Sequence, residues 1–174
     1  LTAIEGAESG TANVTVDAAA GASVVSSAYH ASGAKSFHFT TPQFAHQTIA
    51  LKRTVLAGAA TELTFKRRVG YASVDQIAHA QVSTDEGGSW RTVFSEAGTG
   101  APAAGFTART VSLAAYANRT LLVRFLFAYE GFGDAYTQTY LSGAGYIESL
   151  WTWRFVPRQG DPTVLVSFGE SEVD

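Results

Sequence analysis

The stretch that decides the fold is residues 78–94, AHAQVSTDEGGSWRTVF. Its first six residues alternate between apolar and polar side chains, and its last six are rich in β-branched and aromatic residues, as in half-buried strands. Between them, residues 84–88 (TDEGG) supply an aspartate and two glycines, which favour a tight turn with positive φ. This stretch therefore predicts a β-hairpin.

The same period-two alternation recurs along the chain. Residues 119–127 (RTLLVRFLF) are almost continuously apolar, which is typical of a central strand covered on both faces. No segment shows a sustained helical stripe, and 112–118 could form one helical turn with Asn118 in a left-handed terminus. We expect an all-β fold, a two-sheet antiparallel β-sandwich of jelly-roll type, rather than a closed barrel, because strand and loop lengths are unequal. Further strands are predicted at 12–16, 23–27, 36–40, 48–53, 62–69, 107–113, 145–155 and 163–168.

Composition excludes several classes of protein. With 46% hydrophobic residues, the 174-residue chain can bury a core, so global disorder is excluded. The absence of cysteine excludes disulfides, thiolate nucleophiles and cysteine-ligated zinc. A net charge of −3 argues against nucleic acid as a partner, and no apolar run is long enough to predict membrane insertion.

The ends of the chain suggest a module of a longer protein. There is no methionine, not even at position 1, and we expect a domain separated from neighbouring domains of the same chain. Residues 1–157 are predicted to form the β-sandwich. Residues 158–174 are predicted to be a C-terminal strand or a linker towards a following module.

Four longer segments, taken in order, resemble a known family: 29–39 (YHASGAKSFHF), 75–90 (DQIAHAQVSTDEGGSW), 111–125 (VSLAAYANRTLLVRF) and 145–150 (GYIESL). They resemble the MAM-like jelly-roll modules of secreted bacterial proteins, including those attached to immune-inhibitor-A-type metalloproteases. Two positions depart from the pattern: Glu86 is an extra residue in the turn, and Glu148 stands where aspartate is more usual. The resemblance implies a jelly roll with a non-catalytic accessory role, secreted or at the cell surface; it implies no particular ligand.

The resemblance also implies a structural calcium ion, clamped between the N-terminal segment and the last strand. Calcium prefers several hard oxygen ligands, above all carboxylates and backbone carbonyls. The candidates in the matching regions are Glu5, Glu8 and Glu148, with Asp17 also available. The alternative is that these are ordinary solvated carboxylates.

A long aromatic loop at 129–140 suggests a carbohydrate site, because sugar rings stack on aromatic faces while polar neighbours hold their hydroxyls. Trp151 and Trp153 share a strand face and are expected to pack in the core, and Trp90 is expected to pack in the core or on the hairpin. The loop aromatics could instead fold back as a lid. The candidate ligand-binding residues are Tyr129, Glu130, Phe132, Asp134, Tyr136 and Tyr140.

Catalysis is not expected. None of the four histidines lies in a recognised catalytic frame. In the basic run 66–68, Arg67 shares a strand face with Leu63 and Phe65, which indicates a paired or interfacial arginine. The favoured interpretation is a sheet-face ion pair that contributes little to stability. The predicted function is a non-catalytic accessory binding module that binds carbohydrate or a cell-surface polymer. The alternative is a structural or adhesion spacer with no small ligand of its own.

Calcium binding is tested by isothermal titration of Ca²⁺ into protein freed of metal by chelation. We expect a heat of binding and a melting temperature that falls when a chelator is added, because an ion that binds only the folded state stabilises it. Neither effect would be observed if the acidic residues are solvated.

Overall fold

The computed structural model describes residues 2–18, 24–39, 46–70, 72–131, 149–156 and 165–167, of which 2–5, 149–156 and 165–167 are described by their backbone. These residues form thirteen β-strands and two short 3-10 helices, with no α-helix among them. Every strand pair is antiparallel except that of the first and last strands, which run parallel. The all-β sandwich predicted from the alternation is confirmed.

The first sheet has seven strands, and its longest pairing joins strands that are far apart in the chain. Their bounds are β1 Thr2–Glu5, β3 Val25–Ser26, β4 Ser36–Phe39, β7 Glu62–Val69, β10 Thr107–Ser112, β12 Ser149–Val156 and β13 Leu165–Ser167. β12 pairs with β7 along its whole length, while the other edge of β12 pairs with β4 and then with β1 and β13. β10 pairs with the free edge of β7, and β3 pairs with the free edge of β4.

The second sheet has six strands: β2 Val14–Asp17, β5 Gln47–Leu51, β6 Val55–Leu56, β8 Gln76–Ser83, β9 Arg91–Ala97 and β11 Thr120–Tyr129. Their order is β2-β5-β11-β8-β9, with the short β6 paired to the start of β11. The apolar segment predicted as a central strand is β11, which lies between β5 and β8. The predicted hairpin is β8–β9.

Two of these strands, β1 and β6, have no counterpart in the strands predicted from the sequence. β6 has two residues, too few for an alternation to be read. β1 exists because it pairs with β12 and β13, more than 140 residues away, and local sequence carries no sign of such pairing. The one-turn helix predicted near 112–118 is a 3-10 helix at Ala114–Tyr116, and Asn118 has the expected positive φ of 62°.

An aromatic core joins the two sheets. Phe65 of β7 lies 5.2 Å, centre to centre, from Phe125 of β11 and also 5.2 Å from Phe94 of β9, both edge-to-face. Phe39 and Phe127 form a second contact at 6.4 Å. Because side chains alternate across a strand, these inward residues fix which neighbours face outwards.

Arg67 corrects the expectation of a surface ion pair. It points inwards with Leu63 and Phe65 and is only 8% exposed. Its Nη2 contacts the Glu96 carboxylate of β9, and Arg109 of β10 reaches the other oxygen of Glu96 at 3.5 Å. Burial lowers the pKa of Arg67, and Glu96 opposes that shift. The pairing is as predicted, but the cluster bridges the two sheets at their edge instead of lying on an outer face.

No helix among the described residues is long and apolar enough to cross a membrane.

Replacing Glu96 with glutamine tests the bridging cluster. We expect the free energy of unfolding to fall by about 2–3 kcal/mol, because Arg67 then stays buried without a compensating charge. Denaturant titration measures the change. The exposed Glu86→Gln variant is the matched control and should stay within about 0.5 kcal/mol. Equal losses in the two variants would contradict a stabilising bridge.

Candidate functional site

The predicted ligand-binding loop is described only at its start. Tyr129 is the last residue of β11, half-buried and on the same strand face as Phe125 and Phe127. Glu130 follows, is exposed, and accepts a 2.8 Å hydrogen bond from His79 Nε2. The other four predicted residues, Phe132, Asp134, Tyr136 and Tyr140, lie outside the described residues.

The predicted calcium ligands are only partly described. Glu8 lies in the 3-10 helix Ala7–Ser9, and its Oε1 accepts hydrogen bonds from the backbone N–H groups of Ala34 (2.8 Å) and Lys35 (2.9 Å). Glu5 is in β1, in register with Trp153, and Glu148 lies outside the described residues. Where the chain is described, no three histidine or acidic side chains group closely enough to hold a metal ion. Calcium binding stays a prediction.

A pocket of about 270 Å³ opens on the outer side of the seven-stranded sheet. Tyr29 forms one wall and is 43% exposed. The guanidinium carbon of Arg68 lies 4.0 Å from the centre of the Tyr29 ring, the geometry of a cation–π contact. We call this site the Tyr29 pocket. Its described lining consists of Ala28, Tyr29, His30, Arg68, Ala104, Gly105 and Phe106.

Both walls of the Tyr29 pocket are held by contacts distant in sequence. Glu8 fixes the β3–β4 connection that carries Tyr29 by accepting the two backbone hydrogen bonds described above. Ser36 Oγ donates a further bond to the Tyr29 carbonyl. On the opposite wall, Arg68 Nη2 donates to the Ala103 carbonyl at 3.4 Å, next to the segment that carries Phe106. Polar contacts therefore hold the backbone at Tyr29 and join Arg68 to the segment that precedes Phe106.

A second polar surface lies on the outer side of the six-stranded sheet. There the guanidinium carbon of Arg124 lies 4.2 Å from the centre of the Trp90 ring. Arg124 Nε donates to Gln81 Oε1 at 2.7 Å, and Gln81 Nε2 donates to Thr92 Oγ1 at 3.0 Å. The strand register places Arg124 of β11 opposite Gln81 of β8, and Gln81 opposite Thr92 of β9. We call these four residues, Trp90, Arg124, Gln81 and Thr92, the Trp90 platform.

The β8–β9 turn brings Trp90 to this surface. Asp85 Oδ1 accepts from Ser83 Oγ (2.6 Å) and from the Ser89 N–H (2.8 Å), and its Oδ2 accepts from Ser89 Oγ (2.6 Å). The turn held by these bonds is followed by β9, which begins at Arg91. Positive φ falls on Glu86 (57°) and Gly87 (96°), not on both glycines as predicted. A Cβ atom on Gly87 would lie 3.6 Å from Cζ2 of Trp90, an ordinary van der Waals contact, so the positive φ and not crowding favours glycine at this position.

The polar face of β8 is more covered than its alternation suggests. His79, Gln81 and Ser83 point away from the core, yet each is less than a tenth exposed. Glu130 contacts His79, and Arg124 and Thr92 contact Gln81. His79 Nδ1 has no hydrogen-bond partner among the described residues.

Neither the Tyr29 pocket nor the Trp90 platform is among the binding sites predicted from the sequence. Tyr29 and His30 stood out only in the family resemblance, Arg68 only within a basic run, and Trp90 only as a packing residue. The strand period could have shown that Arg68 and Arg124 face outwards on opposite sheets. The aromatic ring that covers each arginine comes from another part of the chain, and no local signal reports it.

This fold and these surfaces define a β-sandwich module. No protein-family model matches the chain, and no curated protein matches it. Membership of the MAM-like family therefore stays a prediction.

Comparison with solved structures finds the following matches. The K2 cleaved adhesin domain of Lys-gingipain is 16% identical with a TM-score of 0.55, and the match covers 87% of this chain and 95% of that domain. TmCBM61, solved with β-1,4-galactotriose, is 13% identical with a TM-score of 0.49, covering 87% and 94%. A chitosan-binding module of a chitosanase/glucanase from Paenibacillus sp. IK-5 is 20% identical with a TM-score of 0.40, covering 87% and 96%. The likeness to the adhesin domain establishes the fold alone.

Replacing Asp85 with asparagine tests the turn. Hydrogen bonds from Ser83 and Ser89 lower the pKa of Asp85 from 3.8 to about 2. The ionised carboxylate therefore stabilises the fold above about pH 4, and this contribution is lost as the pH falls towards about 2. We expect the wild-type melting temperature to fall more steeply over this interval than that of the variant. Parallel pH profiles would contradict this assignment.

Proposed function

We propose that this chain is a non-catalytic accessory module of a larger secreted or cell-surface protein, and that it binds carbohydrate or a cell-surface polymer in the Tyr29 pocket. The observation that carries the proposal is the half-exposed Tyr29 ring, backed by Arg68 in a concave site. An aromatic ring offers its face to the C–H face of a sugar. The neighbouring His30 and Arg68 supply groups that can bind sugar hydroxyls.

The size and the polar contacts of the pocket support a saccharide ligand. At about 270 Å³ it lies near the lower end of small-molecule sites and suits a short part of a sugar chain. Glu8 and Arg68 hold the two walls before any ligand arrives. A preorganised site loses less conformational freedom on binding.

The lining residues favour binding over hydrolysis. Glycoside hydrolysis ordinarily needs a pair of carboxylates on either side of the scissile bond. The described lining of the Tyr29 pocket includes no aspartate or glutamate. The proposed partners are therefore a glycan or cell-surface polymer and the neighbouring domains of the same chain. Such a module would keep the larger protein close to the polymer that it binds.

A glycan array followed by titration of the best saccharide tests this function. Tyr29→Ala should lower the affinity about tenfold, because loss of an aromatic anchor costs at least about 1–2 kcal/mol. Tyr29→Phe should bind within about twofold of wild type, since it keeps the ring face.

The control is Val74→Ala, which removes a 68% exposed apolar side chain outside the pocket and should leave the affinity unchanged. If no saccharide binds, the module is better described as a spacer without a small ligand. Unchanged affinity in Tyr29→Ala would move the site elsewhere.

A further inference from the structure

Arg124 is a half-buried cation with no carboxylate partner among the described residues. The ion pairs found there are Arg67 with Glu96, Arg109 with Glu96 and His79 with Glu130. Burial lowers the pKa of Arg124, because its charged form has lost water without gaining a counter-ion. A half-buried guanidinium in this state gains more from an anion than a fully solvated one does.

The guanidinium is also held in one orientation. Its Nε is occupied by Gln81, which is itself held by Thr92, and its plane lies against Trp90. These contacts leave Nη1 and Nη2, the two groups that form a fork with planar anions, without a protein acceptor in the described part of the chain. Asp85 of the β8–β9 turn forms no ion pair with Arg124 among the described residues, and its two oxygens accept hydrogen bonds from Ser83 and Ser89.

We propose that the Trp90 platform is a second binding site, and that it takes the carboxylate of a uronic-acid residue in an acidic polysaccharide. The guanidinium fork of Arg124 matches a planar carboxylate, and the indole of Trp90 offers a surface to the sugar ring. An aromatic ring beside a positioned guanidinium suits an acidic sugar better than a free inorganic anion, which has no apolar face to stack.

This site is independent of the Tyr29 pocket. Arg68 follows the inward-facing Arg67 on the seven-stranded sheet, and Arg124 precedes the inward-facing Phe125 on the six-stranded sheet. The two arginines therefore face outwards on opposite sides of the sandwich. A chain with both sites could bind two polymer segments, which raises the overall avidity when both are engaged.

Titration of the intact chain with oligogalacturonate, with a neutral galactose oligomer and with dextran sulfate tests the proposal. We expect oligogalacturonate to bind, and to bind more weakly as salt is raised. Arg124→Gln should reduce this affinity about tenfold or more. Arg124→Lys should bind nearly as weakly as Arg124→Gln, because lysine keeps the charge but lacks the two-pronged guanidinium. Trp90→Ala should cause a similar loss.

Arg119→Gln is the matched control, because it removes an exposed positive charge from the residue that immediately precedes β11, the strand that carries Arg124. This variant should change the affinity less than about twofold. Tyr29→Ala should also leave oligogalacturonate binding intact, so failure of the Tyr29 pocket and failure of the Trp90 platform are distinguishable. Thermal unfolding of each variant confirms that it is folded. Preference for dextran sulfate or the neutral oligomer, or equal losses in Arg119→Gln and Arg124→Gln, would overturn the proposal.

Discussion

The packing of Phe65 against Phe125 and Phe94 is the contact on which the rest of the structure depends. It joins the two sheets and fixes which side of each strand is inside. Because Phe125 faces inwards, its neighbour Arg124 must face outwards. Arg68 must face outwards as well, because it alternates with the inward-facing Phe65 and Arg67. A shift of one residue in β11 would turn Arg124 inwards, and a shift of one residue in β7 would turn Arg68 inwards, so each would remove the proposed site on its own sheet.

Three arginines of this low-charge chain differ through their surroundings. Arg67 is buried and balanced by Glu96 between the sheets. Arg68 and Arg124 each lie against an aromatic ring on an outer face. Charged residues make up only 16% of the chain, so a cation held against an aromatic ring is a distinctive feature of each outer face.

The alternation along single strands predicted the sandwich, the β8–β9 hairpin, the central β11 and a paired Arg67, because each follows from local periodicity and turn chemistry. The burial of Arg67 between the sheets differs from the surface ion pair predicted from the sequence. The β1 strand and both aromatic–arginine pairs could not be predicted, because they join segments distant in sequence. Glu8 illustrates the limit, because its carboxylate accepts hydrogen bonds from two backbone N–H groups 26 and 27 residues away, which no local pattern indicates. Its role as a calcium ligand, which the family resemblance implies, stays a prediction. The aromatic loop expected to bind sugar lies mainly outside the described residues, so that hypothesis stays a prediction.

The most direct test of the central claim is a two-dimensional NMR titration of ¹⁵N-labelled protein with the saccharide that binds best on an array. A chain of 174 residues suits this measurement. If the Tyr29 pocket binds the sugar, the backbone amides of Tyr29, His30, Arg68 and Phe106 shift together and saturate with one dissociation constant. Saturable shifts confined to other parts of the chain, or no saturable shift at all, would contradict the account.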